Sequence, residues 1–198
     1  MRRYELRLPT SMFAAVIILV SGCAAEPASD DKEKTLNSQF AELQKRPDID
    51  SAVQRYGEVL TKIRDRLAAS NFATGWREAK DRASSRGCTS GFSGAWSEID
   101  DETGEIRTLP TWISSGNLPD EKWDSAVSAI VETVRDHGFD GPGVVANRPG
   151  DHEVIFRDGY GAQITFGTLT NTVLSLTTGC HLTVAAHQRG TPPPKRTY

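Results

Sequence analysis

No apolar run in this sequence approaches the roughly 20 residues a helix needs to cross a hydrocarbon core; the longest candidate, Met12 to Val20, stops at nine. Basic excess is missing too. The net charge is −3, and removing the first 22 residues, which hold Arg2, Arg3 and Arg7 against Glu5, leaves −5. A mildly acidic chain lacks the cationic footprint that displaces counterions from nucleic acid, and it has no pull toward anionic headgroups. Cysteine is scarce, with three in 198 residues. None of the four histidines, His137, His152, His181 and His187, forms an H-E-x-x-H pair, and no P-loop, dinucleotide fingerprint or aspartic dyad occurs. No catalytic residue, metal or cofactor is therefore assigned. A chain of this length, 37% hydrophobic and 25% charged, supports one well-buried core but hardly two full-size domains.

What is present begins at the N-terminus. A basic start, the apolar stretch to Val20 and the small pair Ser21-Gly22 make the tripartite pattern of a secretory signal over residues 1–22. Val20-Ser21-Gly22-Cys23 then resembles the bacterial lipobox. The resemblance implies cleavage after Gly22, a diacylglycerol thioether on Cys23 and palmitate-type acylation, which would hold the domain on the outer face of the bacterial cytoplasmic membrane. Two or more acyl chains, at about 0.8 kcal/mol per buried CH2, suffice for stable anchoring.

Beyond the anchor, Cys23 to Thr35 is small and charged, with nothing large enough to pack, and reads as a flexible tether. Residues 188–198 (QRGTPPPKRTY) read as a disordered Pro-rich tail. The single globular domain is expected over residues 36–187. Its N-terminal half is helical by spacing: Leu36, Phe40 and Leu43, a break at Pro47, then Ile49, Val53, Tyr56, Leu60, Ile63 and Leu67, with Asp48 or Asp50 as cap. A third helix is expected over Gly75 to Arg86, with Trp76, Ala79 and Ala83 on one side. A fourth starts at Pro119 and carries Trp123, Val127, Ile130, Val131 and Val134 to a stop at Gly138.

After Gly138 the period changes to two. Val154, Phe156, Tyr160, Ala162, Ile164, Phe166, Leu174 and Leu176 are all even-numbered, so hairpin turns must pair even with even. A three-residue loop Arg157-Asp158-Gly159, with Gly159 left-handed, would pair Phe156 with Tyr160; Leu169-Thr170-Asn171, with Asn171 left-handed, would join the next two strands. An antiparallel meander of three or four strands packed on the helices follows, an α+β two-layer fold.

If Cys23 carries lipid, Cys88 and Cys180 remain as an even pair in an oxidising setting, and Cys180 shares the inward parity of Leu176. A structural disulfide is the favoured reading; metal binding would want further Cys or His at short spacing, and catalysis is the other use of a thiol. Gly91-Phe92-Ser93-Gly94-Ala95 misses the last glycine of a nucleophile elbow. The acidic run Glu98 to Glu105 lacks the sixth-position glycine and the distant bidentate Glu of an EF-hand calcium loop and reads as a solvated turn around Thr103-Gly104. Of the four tryptophans, Trp76 and Trp123 belong to apolar helix faces. Trp96 and Trp112, in the irregular connection, are the candidates for a ligand pocket.

The lipobox, Trp76, the stretch from Gly87-Cys88 to Ser93-Gly94, the Trp123 helix ending in His137-Gly138-Phe139, and Thr178-Gly179-Cys180 together resemble the LppA-type lipoproteins of mycobacteria and related actinobacteria. The resemblance implies a lipid-anchored α/β envelope protein with one disulfide, and it brings no catalytic residues. The favoured function is a non-enzymatic lipoprotein whose tethered domain binds an envelope protein or wall component; the alternative is a lipid or small-molecule binding domain with an apolar pocket between sheet and helices. An enzyme has no constellation to support it. Treating the unreduced mature protein with a thiol alkylator should modify neither Cys88 nor Cys180, whereas two modified cysteines would sink the bridge.

Overall fold

The computed structural model describes residues 29–80, 83–88 and 99–194. Helix α1 (Ser29–Gln44) buries Phe40 and Leu43, and α2 (Ile49–Ala69) buries Ile49, Tyr56, Leu60, Ile63 and Leu67. Asp48 is the cap of α2. Its carboxylate Oδ1 accepts from the N–H groups of Asp50 and Ser51, both at 3.0 Å, satisfying two orphan donors for about 1 kcal/mol. Helix α1 reaches seven residues into the segment expected as tether, because Ser29 to Thr35 extends the helix that Phe40 and Leu43 dock, while residues 31–35 stay exposed.

The expected third helix does not form. Gly75 has φ +61°, and the chain beyond it makes two short strands, β1 (Arg77–Glu78) and β2 (Ser84–Gly87). Two alanines and one tryptophan offer too little apolar surface to dock a helix, and Ala83 is exposed. Strands β3 (Gly104–Thr108) and β4 (Trp112–Ser115) follow, then α3 (Asp120–Arg135) directly after Pro119. The solvated turn is shifted too. Asp101 and Glu102 are exposed, but Thr103 and Gly104 are buried, and a methyl on Gly104 would lie 2.8 Å from the Cys88 sulfur.

Gly138, at φ +82°, turns the chain into β5 (Phe139–Arg148), which opens an antiparallel meander with β6 (Asp151–Asp158), β7 (Gln163–Thr168) and β8 (Asn171–Thr177). The even residues of β6 to β8 point at α2 and α3, as parity requires, so the α+β two-layer architecture holds. The first hairpin register is a correction. Phe156 faces Ile164 across a five-residue loop Asp158–Ala162 instead of Tyr160, and the positive φ belongs to Gly161 at +87°. Asp158 decides this, because its carboxylate accepts from the Tyr160 and Ala162 amides at 2.9 and 2.8 Å and so wraps the longer loop around itself. The second hairpin has the expected length, with Thr168 facing Thr172, though Asn171 stays on the negative-φ side and starts β8.

The sheet runs β1-β4-β8-β7-β6-β5. Strands β3 and β4 lie end to end along β8: Trp112 faces Leu174 while Thr108 faces Thr177, so the β3–β4 side carries one residue more than β8 between those pairs. That surplus, and Pro110 with no N–H to give, bends the strand at Leu109-Pro110-Thr111. Strand β3 continues to β9 (His181–Leu182), which leads into α4 (Val184–Arg189). Gln188 and Arg189 are thus helical where tail was expected, and Gly190 at φ +71° stops the helix.

Glycines make sharp tests of this packing. At Gly179 a methyl would sit 1.9 Å from the Tyr160 carbonyl oxygen, whereas at Gly57 on α2 nothing lies within 4 Å. Gly179→Ala should destabilise by about 1 to 3 kcal/mol through forced displacement of backbone, and Gly57→Ala should stabilise by about 0.4 to 1 kcal/mol through helix propensity. Urea denaturation of both variants checks the pair.

Candidate functional site

The bend in β3–β4 leaves a space beside α2. Leu60 and Thr61 from the helix, with Leu109, Pro110 and Trp112 from the bent strand, line an open groove of about 670 Å³ whose floor is mostly apolar. Helical period brings Gly57, Leu60, Thr61 and Arg64 to this side of α2. Trp112 is half-buried, packed on the main core by one edge, and the Arg64 guanidinium lies 3.5 Å from its ring centre. The same guanidinium donates to the Leu60 carbonyl at 3.4 Å and to the Thr61 hydroxyl at 3.0 Å. Burial lowers the pKa of Arg64 from its usual value, since the desolvated position disfavours charge, with Asp65 opposing weakly. A second hollow of about 350 Å³ shares Leu109 and Pro110 and continues toward Val53 and Arg107.

Of the pocket candidates, Trp112 is in the groove and Trp96 lies outside the described residues, as do Cys23 and the Gly91–Ala95 stretch. Cys88 and Cys180 are joined, with Cα atoms 5.5 Å apart. Both are buried in a second, smaller core with Phe40, Leu43, Ile99, Ile106, Leu182 and Ala186. Among the described residues no three side chains of metal-binding type cluster, and no helix is long and apolar enough to cross a membrane.

A family model described as LppA, a lipoprotein confined to pathogenic Mycobacterium, matches residues 24–184. The chain belongs to the LppA family. Among solved structures it is similar to LppA from Mycobacterium tuberculosis, at 12% identity and TM-score 0.63, over 83% of this chain and 96% of that one. It is also similar to a DUF4853 family protein from Actinomyces odontolyticus, at 14% identity and TM-score 0.51, over 70% of this chain and 71% of that one. At such identities the likeness to these structures is one of fold. Among curated proteins none matches.

In this LppA-family chain the densest polar constellation lies away from the groove, and spacing gave no sign of it. Tyr56 on α2 donates to Asp158 Oδ2 at 2.5 Å, and burial first, then this bond, pushes the phenol pKa far up. Arg46 donates to the carbonyls of Tyr160 and Cys180 and lies 5.2 Å from the Tyr160 ring centre. His181, fully buried, meets the rings of Tyr56 and Tyr160 edge-on, and its Nδ1–H donates to the Pro47 carbonyl at 2.9 Å. Tyr56 and His181 are buried and Arg46, Asp158 and Tyr160 half-buried, and their bonds tie α2 to the β6–β7 loop, which makes this a structural knot. His152 is equally structural: it stacks on Trp123, which stacks on Phe166, and its Nε2 faces Asp120 at 3.0 Å.

Burial holds the pKa of the His181 imidazole below its ordinary value; the Pro47 carbonyl and Asp158 oppose this, while Arg46 and Arg55 add to it. The neutral ring is the folded form. Since the unfolded chain takes up a proton from about pH 6.5 downward, this contribution to stability is complete above that pH and shrinks as the pH falls below it. His137 shifts the same way, mainly by burial and then by Lys62. The urea midpoint should therefore drop between pH 6.5 and 5, and His181→Gln should flatten the drop; an unchanged slope in that variant would remove His181 from the account.

Proposed function

We propose that this protein is a lipid-anchored component of the cell envelope, held on the outer face of the bacterial cytoplasmic membrane through acylated Cys23, with a non-enzymatic binding role at the Trp112 groove. The lipobox and membership of a family described as lipoproteins support the anchor. The groove carries the binding reading. Its volume, about 670 Å³, suits a lipid or small molecule with an apolar part, since such sites span roughly 300 to 1,000 Å³ and combine apolar walls with a few placed polar groups. A large protein partner is less well served. Among the described residues, the exposed large apolar side chains are Val144 and Val145 on the edge strand β5 and Leu169 in a turn, short of the roughly 800 Å² per partner of a stable interface.

Native mass spectrometry of the full-length protein taken from its own membrane tests both halves. The expected spectrum shows acyl mass on Cys23 and a co-purifying ligand; Cys23→Ala should lose the acyl mass, and Trp112→Ala should lose the ligand while keeping the acyl mass. A protein cleaved after Gly22 but bearing no lipid would end the anchor reading.

A further inference from the structure

The cations around the groove are differently placed, and the placement names a ligand class. Glu58 and Lys62 stand one turn apart on α2 with no salt bridge between them, and Lys62 Nζ donates to His137 Nε2 at 3.1 Å. Arg64 instead lies on the Trp112 ring. Its bonds go to neutral acceptors, the Leu60 carbonyl and the Thr61 hydroxyl, and among the described residues no carboxylate lies within ion-pair distance of it. The guanidinium is a fork of five N–H donors suited to bidentate anions, here laid across an indole face at the rim of an apolar floor. The groove follows α2 from Gln54 to Arg64, about 15 Å at the helical rise, with Glu58 on the stretch leading away from Arg64. An anion would be repelled there and drawn to the Arg64 end.

We propose that the groove takes an anionic amphiphile, a single acyl chain with a carboxylate or phosphate head, the chain lying along Leu60, Leu109 and Trp112 and the head on the Arg64 guanidinium. The proposal rests on the binding reading of the same groove given above. Arg64 is then the residue that sets specificity: its guanidinium, held on the Trp112 ring, pairs with the head. Arg64 also loses less than a solvated cation would, because burial has already removed part of its water.

Photo-crosslinking of the full-length protein in isolated membranes tests this, with a diazirine-bearing C16 carboxylate and a diazirine-bearing C16 alkyl glycoside as probes, and peptide mass spectrometry as the readout. The carboxylate should label segments containing Trp112 or Leu60 about ten-fold more than the glycoside, the scale of one charge-assisted hydrogen bond. Arg64→Gln should bring the two probes level, Arg64→Lys should restore part of the preference, and Trp112→Ala should reduce labelling by both. Equal labelling of the wild type by both probes would overturn the anionic specificity and leave the groove as a binding site. Absence of labelling by either would overturn the groove reading itself. Protection by millimolar inorganic phosphate alone would assign Arg64 to a free anion and overturn the lipid.

Discussion

The carboxylate of Asp158 is the point on which the two halves of the fold meet. It takes the Tyr56 hydroxyl from α2 and the amides of Tyr160 and Ala162 from its own loop, three bonds of 2.5, 2.9 and 2.8 Å. Bonds to an ionised group are each worth about 1.5 to 3 kcal/mol, against the desolvation cost of placing the charge there. The same three bonds fix the length of the β6–β7 loop and hence the register of the sheet. They also place the Tyr160 carbonyl where Arg46 and the backbone of Gly179 approach it. The α1–α2 junction, the meander and the segment carrying Cys180 are thereby held to one another by a single side chain and its donors.

Around that knot the molecule keeps two cores. The larger lies between α2, α3 and the even face of the meander; the smaller surrounds the Cys88–Cys180 bond under α1 and α4. A bond closing 92 residues constrains the unfolded chain by about 4 to 5 kcal/mol in the chain-entropy account, and it ties the segment before β3 to the segment after β8. Strand β3 is therefore fixed at one end by the small core and at the other by β8. The bend at Leu109-Pro110 lies in between, against α2, which belongs to the larger core. The apolar lining of the groove, Leu60, Leu109 and Trp112, belongs to the larger core or packs on it, and the space lies where the surplus residue of the β3–β4 side sets the strand off α2.

Legibility followed the range of the interactions. Helices α2 and α3 could be read from spacing because each buries one stripe, and Asp48, Pro119 and Gly138 punctuate them locally. The inward parity of Val154 through Leu176 was equally plain, since it depends only on the pleat. Side-chain and tertiary contacts decided most of what failed. Asp158 wraps a five-residue loop with one carboxylate oxygen, while Tyr56, about a hundred positions earlier, donates to the other. The supposed helix at Gly75–Arg86 became two strands because β3 and β4 offered edges that two alanines could not outbid. Strand β5, with Gly141, Pro142 and Gly143 in its middle, carries no strand signature at all, and it forms because β6 supplies a paired edge.

The address and the site differ in the same way. The resemblance of Val20-Ser21-Gly22-Cys23 to a lipobox is carried by four contiguous residues, so it is visible without any fold. The groove joins residues 54–64 to residues 109–112 through a one-residue surplus against β8, and no local pattern announces that surplus. Arg64 on its own helix is an ordinary cation on a polar flank, with Asp65 beside it to suggest balance. Only when the bent strand brings Trp112 beneath it does the guanidinium become a partly desolvated charge without a carboxylate, facing apolar walls. The geometry of the groove is thus a property of the surplus residue, which sets Trp112 of the strand against Arg64 of the helix.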